Sequence, residues 1–290
     1  MNQFTKITYE NKAGSIVFDV AGDFWIDSIE GMETTVEIDS TQNTGQIGAS
    51  LGSQSVLPKD ITVNGVIVRC IEPRRRQLLD VLVPLLVSRL IFRLENGEEW
   101  YLEGYLKQLP ILSDGMRPQS FQFRFFSPYP YFRSTRQKSY PLSGLRSLWH
   151  TPFTVAPHAI SRYNDEKFVR AENKGNIAQA FVIRLVAKAK LRDPVVWLVD
   201  ENKKIAVKKE MQQGEEIIIS THDADKDDGT AVQYRNAAGL MRNGYRFITP
   251  ESDLSMRIPP GGCTFAADAG ENRQNLICTV IAAEGERHGI

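Results

Sequence analysis

The sequence predicts a mainly β protein made of two domains. Short strand-like runs separated by turn residues recur along nearly the whole chain, and one segment has the periodicity of a helix. The length of 290 residues also favours two domains over one. Residues 133–152 are basic and polar, so we place the boundary at about residue 140, which gives domains 1–140 and 141–290.

Alternating apolar and polar residues predict the strands of the first domain. Phe121, Phe123 and Phe125 alternate with polar residues, as in a half-buried strand. The Asn96-Gly97 pair lies between two strand-like runs and predicts a hairpin turn. The predicted strands are residues 7–9, 15–19, 24–29, 34–40, 61–70, 90–94, 100–106 and 121–125.

One helix is predicted in the first domain, with Pro73 in its first turn. Its buried face is indicated by apolar residues at the spacing i, i+3, i+4, i+7 and i+8. These residues are Leu78, Val81, Leu82, Leu85 and Leu86. Because proline lacks the backbone donor that a helix interior needs, Pro84 is expected to kink or end this helix.

A polar, glycine-rich segment over residues 41–55 separates two predicted strands of the first domain. Loops of this length without structure of their own are uncommon in compact domains and often contact another molecule. Two interpretations stay open: a surface loop, or an arm that orders against a neighbouring subunit. For the arm, Ile47 and Leu51 are the expected apolar anchors. The candidate interface residues are Gly45, Gln46, Ile47, Gly48 and Leu51.

In the second domain, strands resume at intervals of roughly 8–15 residues, close to the spacing of a sandwich or a barrel. Turn-forming residues separate them, as in residues 173–176 and 212–214. The predicted strands are residues 181–186, 195–199, 205–208, 215–220, 231–234, 264–267 and 275–281.

The charge balance argues against nucleic acid or a membrane surface as the main partner. Lys+Arg and Asp+Glu both count 35, so the chain has no overall field that attracts phosphates or anionic lipids. The longest apolar stretch, residues 78–86, is too short to span a bilayer and contains Asp80 and Pro84. The N-terminal residues lack the pattern of a signal peptide. We expect a soluble protein.

No residue pattern predicts a catalytic, metal or cofactor site. The four histidines lie in no metal-binding motif, and no Gly-x-Ser-x-Gly elbow occurs. Asp223, Asp225 and Asp227 have the spacing of a calcium loop, but Asp228 stands at the glycine position and Tyr234 at the glutamate position. We therefore expect no enzyme activity, no metal and no cofactor.

The three cysteines are widely spaced and odd in number, so they predict neither a ligand cluster nor a disulfide framework. Cys70, Cys263 and Cys278 each lie in an apolar or strand-like run and are expected to be small buried side chains. This usage fits synthesis in a reducing cytosol.

A run of three arginines, Arg74, Arg75 and Arg76, falls at the expected start of the helix. The helix dipole mildly disfavours cations at this end. Two interpretations stay open for these side chains: a solvated cluster, or a contact with carboxylates of another subunit.

The first half of the chain resembles the phage distal tail protein family. The resemblance lies in residues 23–31 (DFWIDSIEG), the glycine-rich segment leading into 61–65 (ITVNG), 104–106 (GYL) with 109–110 (LP), and 128–132 (PYPYF). The second half is similar to the C-terminal domain of the same family. That similarity lies in residues 173–176 (NKGN) and in 214–215 (GE) before 217–219 (III).

The resemblance implies an N-terminal β-sandwich with one helix and a C-terminal galectin-like β-sandwich that points outward. It implies a hexameric ring under the tail tube of the virion, made in the cytoplasm of the bacterial host. The ring is expected to join the tail tube protein to the tail-tip protein and, in many phages, to receptor-binding proteins. This role requires no catalytic residue.

Two other classes of function are weighed against this one. A carbohydrate-binding β-sandwich for cell-wall glycans needs exposed aromatic side chains that stack on sugar rings. The aromatic residues considered for this in the second half are Trp149, Tyr163, Trp197, Tyr234 and Tyr245. A hydrolase is the third class, and no motif in the sequence supports it.

Overall fold

The computed structural model describes residues 4–19, 21–45, 47–113, 118–147, 161–164, 168–222 and 231–290, with the backbone alone described for 144–147 and 161–164. The predicted mainly β class is confirmed, since strands hold 57% of the described residues and helical segments 8%. Two compact units are present, Met1–Thr135 with Arg287–Ile290, and Arg136–Glu286. The sequence-based boundary at about residue 140 lies five residues from the observed division (140 against 135).

The first unit contains ten strands and one helix within the described residues. They are β1 (Phe4–Asn11), β2 (Gly14–Phe18), β3 (Phe24–Glu30), β4 (Val36–Thr41), β5 (Ser50–Val56), β6 (Lys59–Ile67), α1 (Ile71–Val81), β7 (Val87–Leu94), β8 (Glu99–Leu112), β9 (Gln119–Ser127) and β10 (Phe132–Ser134). All of the strand pairs in this unit between β1 and β10 are antiparallel.

The main sheet of this unit has the order β2-β1-β7-β8-β9-β6-β3 and folds over onto a shared aromatic core. The ring of Phe18 on the edge strand β2 lies 5.9 Å from Phe123 on β9 and 6.0 Å from Phe24 on the opposite edge strand β3. Tyr9 on β1 meets Phe123 edge-on at 6.0 Å. The alternation of apolar residues along each strand supplies this core, because every second side chain points to the same side of a strand.

The helix is shorter than its apolar pattern indicated. Leu78, Val81 and Leu82 are buried, but the prediction was wrong for Leu85, which is 90% exposed and has a φ of 66°. The helix ends at Val81, three residues before Pro84, because proline cannot continue the hydrogen-bond pattern. The chain then turns directly into β7.

The second unit contains the remaining strands. They are β11 (Gln137–Ser147), β12 (Ser161–Asn164), β13 (Val169–Ala171), β14 (Phe181–Ala187), β15 (Leu191–Leu198), β16 (Lys203–Ala206), β17 (Glu210–Met211), β18 (Glu216–Ser220), β19 (Val232–Arg235), β20 (Met241–Asn243), β21 (Cys263–Glu271) and β22 (Leu276–Ala283). The short strand β23 (Glu286–Arg287) spans the division between the two units and belongs to neither sheet of the second. Three short 3₁₀ helices lie at Val199–Glu201, Tyr245–Phe247 and Arg273–Asn275.

These strands form a β-sandwich. One sheet has the order β12-β11-β22-β14-β18-β19-β20, and the other has β13-β21-β15-β16 with β17 beside β15. Buried residues from both sheets form one core, in which Phe181 of the first sheet meets Phe265 of the second edge-on at 5.0 Å. Two-sheet packing of this kind explains why the buried residues alternate along β14 and β22.

The last residues of the chain belong to the first unit. The Arg287 guanidinium lies 4.7 Å from the centre of the Trp100 ring, and Ile290 packs against the first core. Thr34 donates a hydrogen bond of 2.6 Å to the carbonyl of His288. The first unit is therefore built from two separate stretches of the chain.

Candidate functional site

Strands β4 and β5 form a two-stranded sheet that we name the arm hairpin, residues 36–56. All six residues of β4 and all seven of β5 are exposed. The sequence pattern predicted a strand at residues 34–40 and left 41–55 open between a surface loop and an extended arm; β5 corrects the loop interpretation for residues 50–55. Its glycine and three serines give a low strand propensity, so pairing with β4 decides its conformation.

A β-bulge places the apolar residues of the arm hairpin on one face. Ile38 pairs with Gln54 and Ser40 pairs with Leu51, so two steps along β4 match three steps along β5. Paired residues project to the same side of a sheet, and the extra residue returns Leu51 to the side of Ile38. The bulge therefore creates an apolar face that the sequence spacing of β5 alone does not show.

The two faces of the arm hairpin differ in chemistry. One carries Val36, Ile38, Leu51 and Val56, which are 49%, 56%, 62% and 38% exposed. The other carries Glu37 paired with Ser55, together with other polar residues. Soluble proteins rarely expose contiguous apolar patches without a use, and an isolated two-stranded hairpin is marginally stable in water. The arrangement therefore fits a hairpin that docks on another molecule.

Most of the residues proposed from the sequence lie at the tip of the arm hairpin. Gly45 and Gly48 adopt the left-handed conformation, with φ of 84° and 86°, and Ile47 is fully exposed. Leu51 lies in β5, while Gln46 is outside the described residues. The sequence analysis missed Val36, Ile38 and Val56 as interface candidates. The alternation of apolar and acidic residues in β4 was the available signal.

The root of the arm hairpin is fixed by a buried lysine. Lys59 follows the hairpin and is 2% exposed, and its Nζ donates hydrogen bonds to the Met32 carbonyl at 2.6 Å and to Thr34 Oγ1 at 3.0 Å. The same Nζ lies 5.3 Å from the centre of the Phe132 ring. Burial lowers the pKa of Lys59 to about 8, and the nearby carboxylate of Glu33 partly opposes this shift. The two ends of the hairpin are thereby held together while its strands project.

The arginine run at the start of α1 divides into paired and unpaired members. The Arg74 Nε donates to Asp23 Oδ2 at 2.7 Å, and an Arg74 NH1 donates to Gln77 Oε1 at 2.7 Å. Arg75 and Arg76 form no ion pair with any residue that the structure describes. Their guanidinium groups are available to a carboxylate from another molecule.

The side chains that are able to bind a metal or act as nucleophiles do not cluster in the described part of the chain. No cluster of three or more His, Cys, Asp and Glu side chains is arranged to hold a metal among the residues described. Burial raises the pKa of the Cys263 thiol to about 12 and raises that of Cys278 as well, so neither is a ready nucleophile. Cys70 is exposed, contrary to the expectation that it is buried. The aspartates at 223–228 lie outside the described residues.

Of the aromatic residues considered for sugar stacking, the three whose side chains the structure describes do not form a shared platform. Tyr234 is buried and donates a hydrogen bond to Glu215. Burial, and to a lesser degree this hydrogen bond, raises the pKa of Tyr234 to about 12. Lys204 covers the ring of Trp197 at 5.5 Å, and Tyr245 is 55% exposed. The side chains of Trp149 and Tyr163 lie outside the described residues.

Comparison with solved structures decides the fold. No protein-family model and no curated protein matches the sequence. The structure of the Dit protein of phage SPP1, described as a paradigm of the hub adsorption apparatus in phages that infect Gram-positive bacteria, matches 97% of this chain and 98% of that chain, with a TM-score of 0.64 and 12% identity. The chain has the fold of a phage distal tail protein.

Two baseplate structures give the same result. The phage P2 baseplate in its activated conformation with Ca contains a chain that matches with a TM-score of 0.54 and 15% identity. The corresponding structure with Sr gives a TM-score of 0.52 and 15% identity. In both, 98% of this chain and 99% of that chain are covered, so the likeness to these baseplate chains extends over both units. No helix in the described residues is long and apolar enough to cross a membrane.

Proposed function

We propose that this chain is a structural protein of a phage or prophage tail, a distal tail protein that acts as an assembly hub. The observation that carries the proposal is the arm hairpin, whose four apolar side chains on one face are 38–62% exposed. The distal tail protein fold across both units supports it. In this role the protein works by holding other proteins in place and needs no catalytic residue, metal or cofactor.

The proposed assembly is a closed ring, hexameric as the family resemblance implies. A hairpin that docks on a different surface of the next copy makes a head-to-tail contact, and such contacts close into a ring when their rotation returns to the start. Each copy then gives one arm and receives one. Burying the apolar face of the arm hairpin in this contact supplies hydrophobic free energy, which is not gained while that face is exposed in the monomer.

The proposed partners are the tail tube protein on one side of the ring and the tail-tip protein on the other, with receptor-binding proteins as further partners. The protein is made in the cytoplasm of the bacterial host and ends up in the virion tail. Nucleic acid and membrane are not partners in this proposal, which agrees with the equal numbers of 35 basic and 35 acidic residues.

Labelling of intact virions tests this function. Gold-conjugated antibodies raised against the full chain are applied to purified virions that encode it, and the label is located by electron microscopy. We expect label at the junction beneath the tail tube. Label on the capsid, along the tube or on no part of the virion contradicts the proposal.

A further inference from the structure

The exposed face of α1 combines basic and apolar side chains without partners of their own. Arg75 and Arg76 lie four and three residues before Leu79, the spacing that places side chains on one face of a helix. Leu79 is 43% exposed, and neither arginine forms an ion pair with a described residue. Leu85 and Val87 follow α1, in the turn and at the start of β7. We name Arg75, Arg76 and Leu79 on the helix, together with Leu85 and Val87, the helix-face surface.

Leu85 gives the strongest indication that this surface is covered by another molecule. It is 90% exposed and has a φ of 66°, a conformation that costs a residue with a Cβ roughly 1 kcal/mol or more. Glycine or asparagine would relieve that strain at an exposed turn. Val87, two residues later, is 52% exposed. An apolar side chain held in a strained and solvated turn supports the hypothesis of a contact with another molecule.

The arm hairpin complements this surface in charge. From Gly31 to Pro58 the chain contains Glu33, Glu37 and Asp39 and no lysine or arginine before Lys59. Residues 69–76 contain four arginines, of which Arg74 is paired with Asp23. The arm hairpin, with acidic side chains on the face opposite its apolar one, is thus complementary in charge to the helix face that carries Arg75, Arg76 and Leu79. Such complementarity fixes the register of an interface and suppresses wrong contacts.

We propose that the helix-face surface is the acceptor for the arm hairpin of a second copy of this chain, which rests on the assembly role proposed above. The apolar face with Ile38 and Leu51 lies on Leu79 and Leu85. The long side chains of Arg75 and Arg76 reach around the β4 edge to Glu37 and Asp39, because arginine can lie along apolar surface while its charged end stays in reach of a carboxylate. Donor and acceptor are different parts of one unit, so the contact is head-to-tail and repeats from copy to copy.

Charge reversal tests this contact in the full chain. Association of the purified protein is followed by sedimentation velocity up to about 1 mM, in reducing buffer because Cys70 is exposed. We expect R75E/R76E and E37R/D39R each to weaken association about a hundredfold, since like charges then face each other. The combined variant with all four changes restores attraction and recovers most of the loss. Unchanged circular dichroism spectra show that each variant is folded.

The matched control reverses two exposed charges on the hairpin between β7 and β8, R93E/E95R, and leaves association within about twofold of the wild type. Three results overturn the proposal: a wild-type chain that stays monomeric throughout the range, single reversals that leave association unchanged, or a combined variant as weak as the single ones.

The outcome is separable from that of the proposed function. If label is found at the tube junction but the charge reversals do not change association, the acceptor surface is refuted and the hub role stands. Charge-dependent association of a chain that is absent from virions refutes the hub role and leaves the contact standing.

Discussion

Strands β5 and β6 follow one another in the chain, yet they use their side chains in opposite ways. Each position of β5 is exposed, whereas β6 buries every second residue, including Ile61, Val63 and Ile67. Burying a side chain such as valine or isoleucine contributes roughly 1.5–3 kcal/mol to folding. The strands of the main sheet gain this free energy within the monomer, while in the proposed assembly the arm hairpin gains it from another copy.

This difference predicts two separable classes of variant. Substitutions in the core lower the free energy of unfolding, and substitutions on the apolar face of the arm hairpin lower association without changing unfolding. The predictions below run from the largest expected change in the free energy of unfolding to the smallest.

The largest loss is expected for Phe123→Ala. Phe123 is fully buried, and its ring meets both Phe18 and Tyr9, so truncation removes the contacts that join β9 to β1 and β2 across the core. We expect a loss of about 3–5 kcal/mol, measured by urea denaturation. Phe126→Ala, on the other face of the same strand and half-buried, is the control and should cost less. Equal losses for the two variants would contradict this account of the core.

Lys59 should make stability depend on pH. Its pKa in the folded protein, about 8, lies below its ordinary value of 10.5, so the unfolded chain binds more protons between these values and stability rises with pH there. Below about pH 8 the lysine is charged in both states and the cost of burying that charge is fully present. Between pH 7.5 and 9.5 we expect the wild type to gain about 2 kcal/mol relative to Lys59→Met.

The comparison with Lys59→Met isolates this one group. Tyr9 and Tyr234, whose pKa values are raised by burial, are present in both proteins and cancel in the difference. Denaturation curves collected at half-unit steps of pH provide the measurement. A difference between the two proteins that is constant over this range would show that Lys59 does not titrate there.

A smaller loss is expected for Tyr9→Phe. The buried Tyr9 hydroxyl donates a hydrogen bond of 2.8 Å to Ser88 Oγ, which itself donates to the Leu86 carbonyl at 3.0 Å. Because Ser88 keeps one partner, we expect a loss of about 1 kcal/mol in thermal or chemical denaturation. A loss above about 3 kcal/mol would mean that the hydroxyl has a role beyond this bond.

Local pattern predicted much of the main sheets. The strands of both units follow alternation of apolar and polar residues, and the hairpin at Asn96-Gly97 follows from turn chemistry, with Gly97 at a φ of 79°. These features depend on neighbours in the sequence, so a single sequence displays them.

Features that depend on distant contacts were not predicted. The return of residues 287–290 to the first unit joins segments far apart in the chain, and no local pattern marks it. The exposure of Leu85 was missed because the helical spacing continues past the residue at which Pro84 forces the helix to end. The candidate site was half predicted: length and glycine content marked residues 41–55, but the bulge that aligns Leu51 with Ile38 is visible only in the paired strands.

The smallest change in unfolding, and the largest in association, is expected for the arm variant Ile38→Ser/Leu51→Ser. Both side chains are more than half exposed, so the free energy of unfolding should change by less than about 0.5 kcal/mol. Val17→Ser, at an exposed apolar position on β2, outside the arm hairpin, is the matched control.

Light scattering of the full-length arm variant beside the wild type tests the central claim most directly. The account predicts a multimeric mass for the wild type and for Val17→Ser, and the mass of a single chain for Ile38→Ser/Leu51→Ser at the same concentration. An arm variant whose mass equals that of the wild type would contradict it.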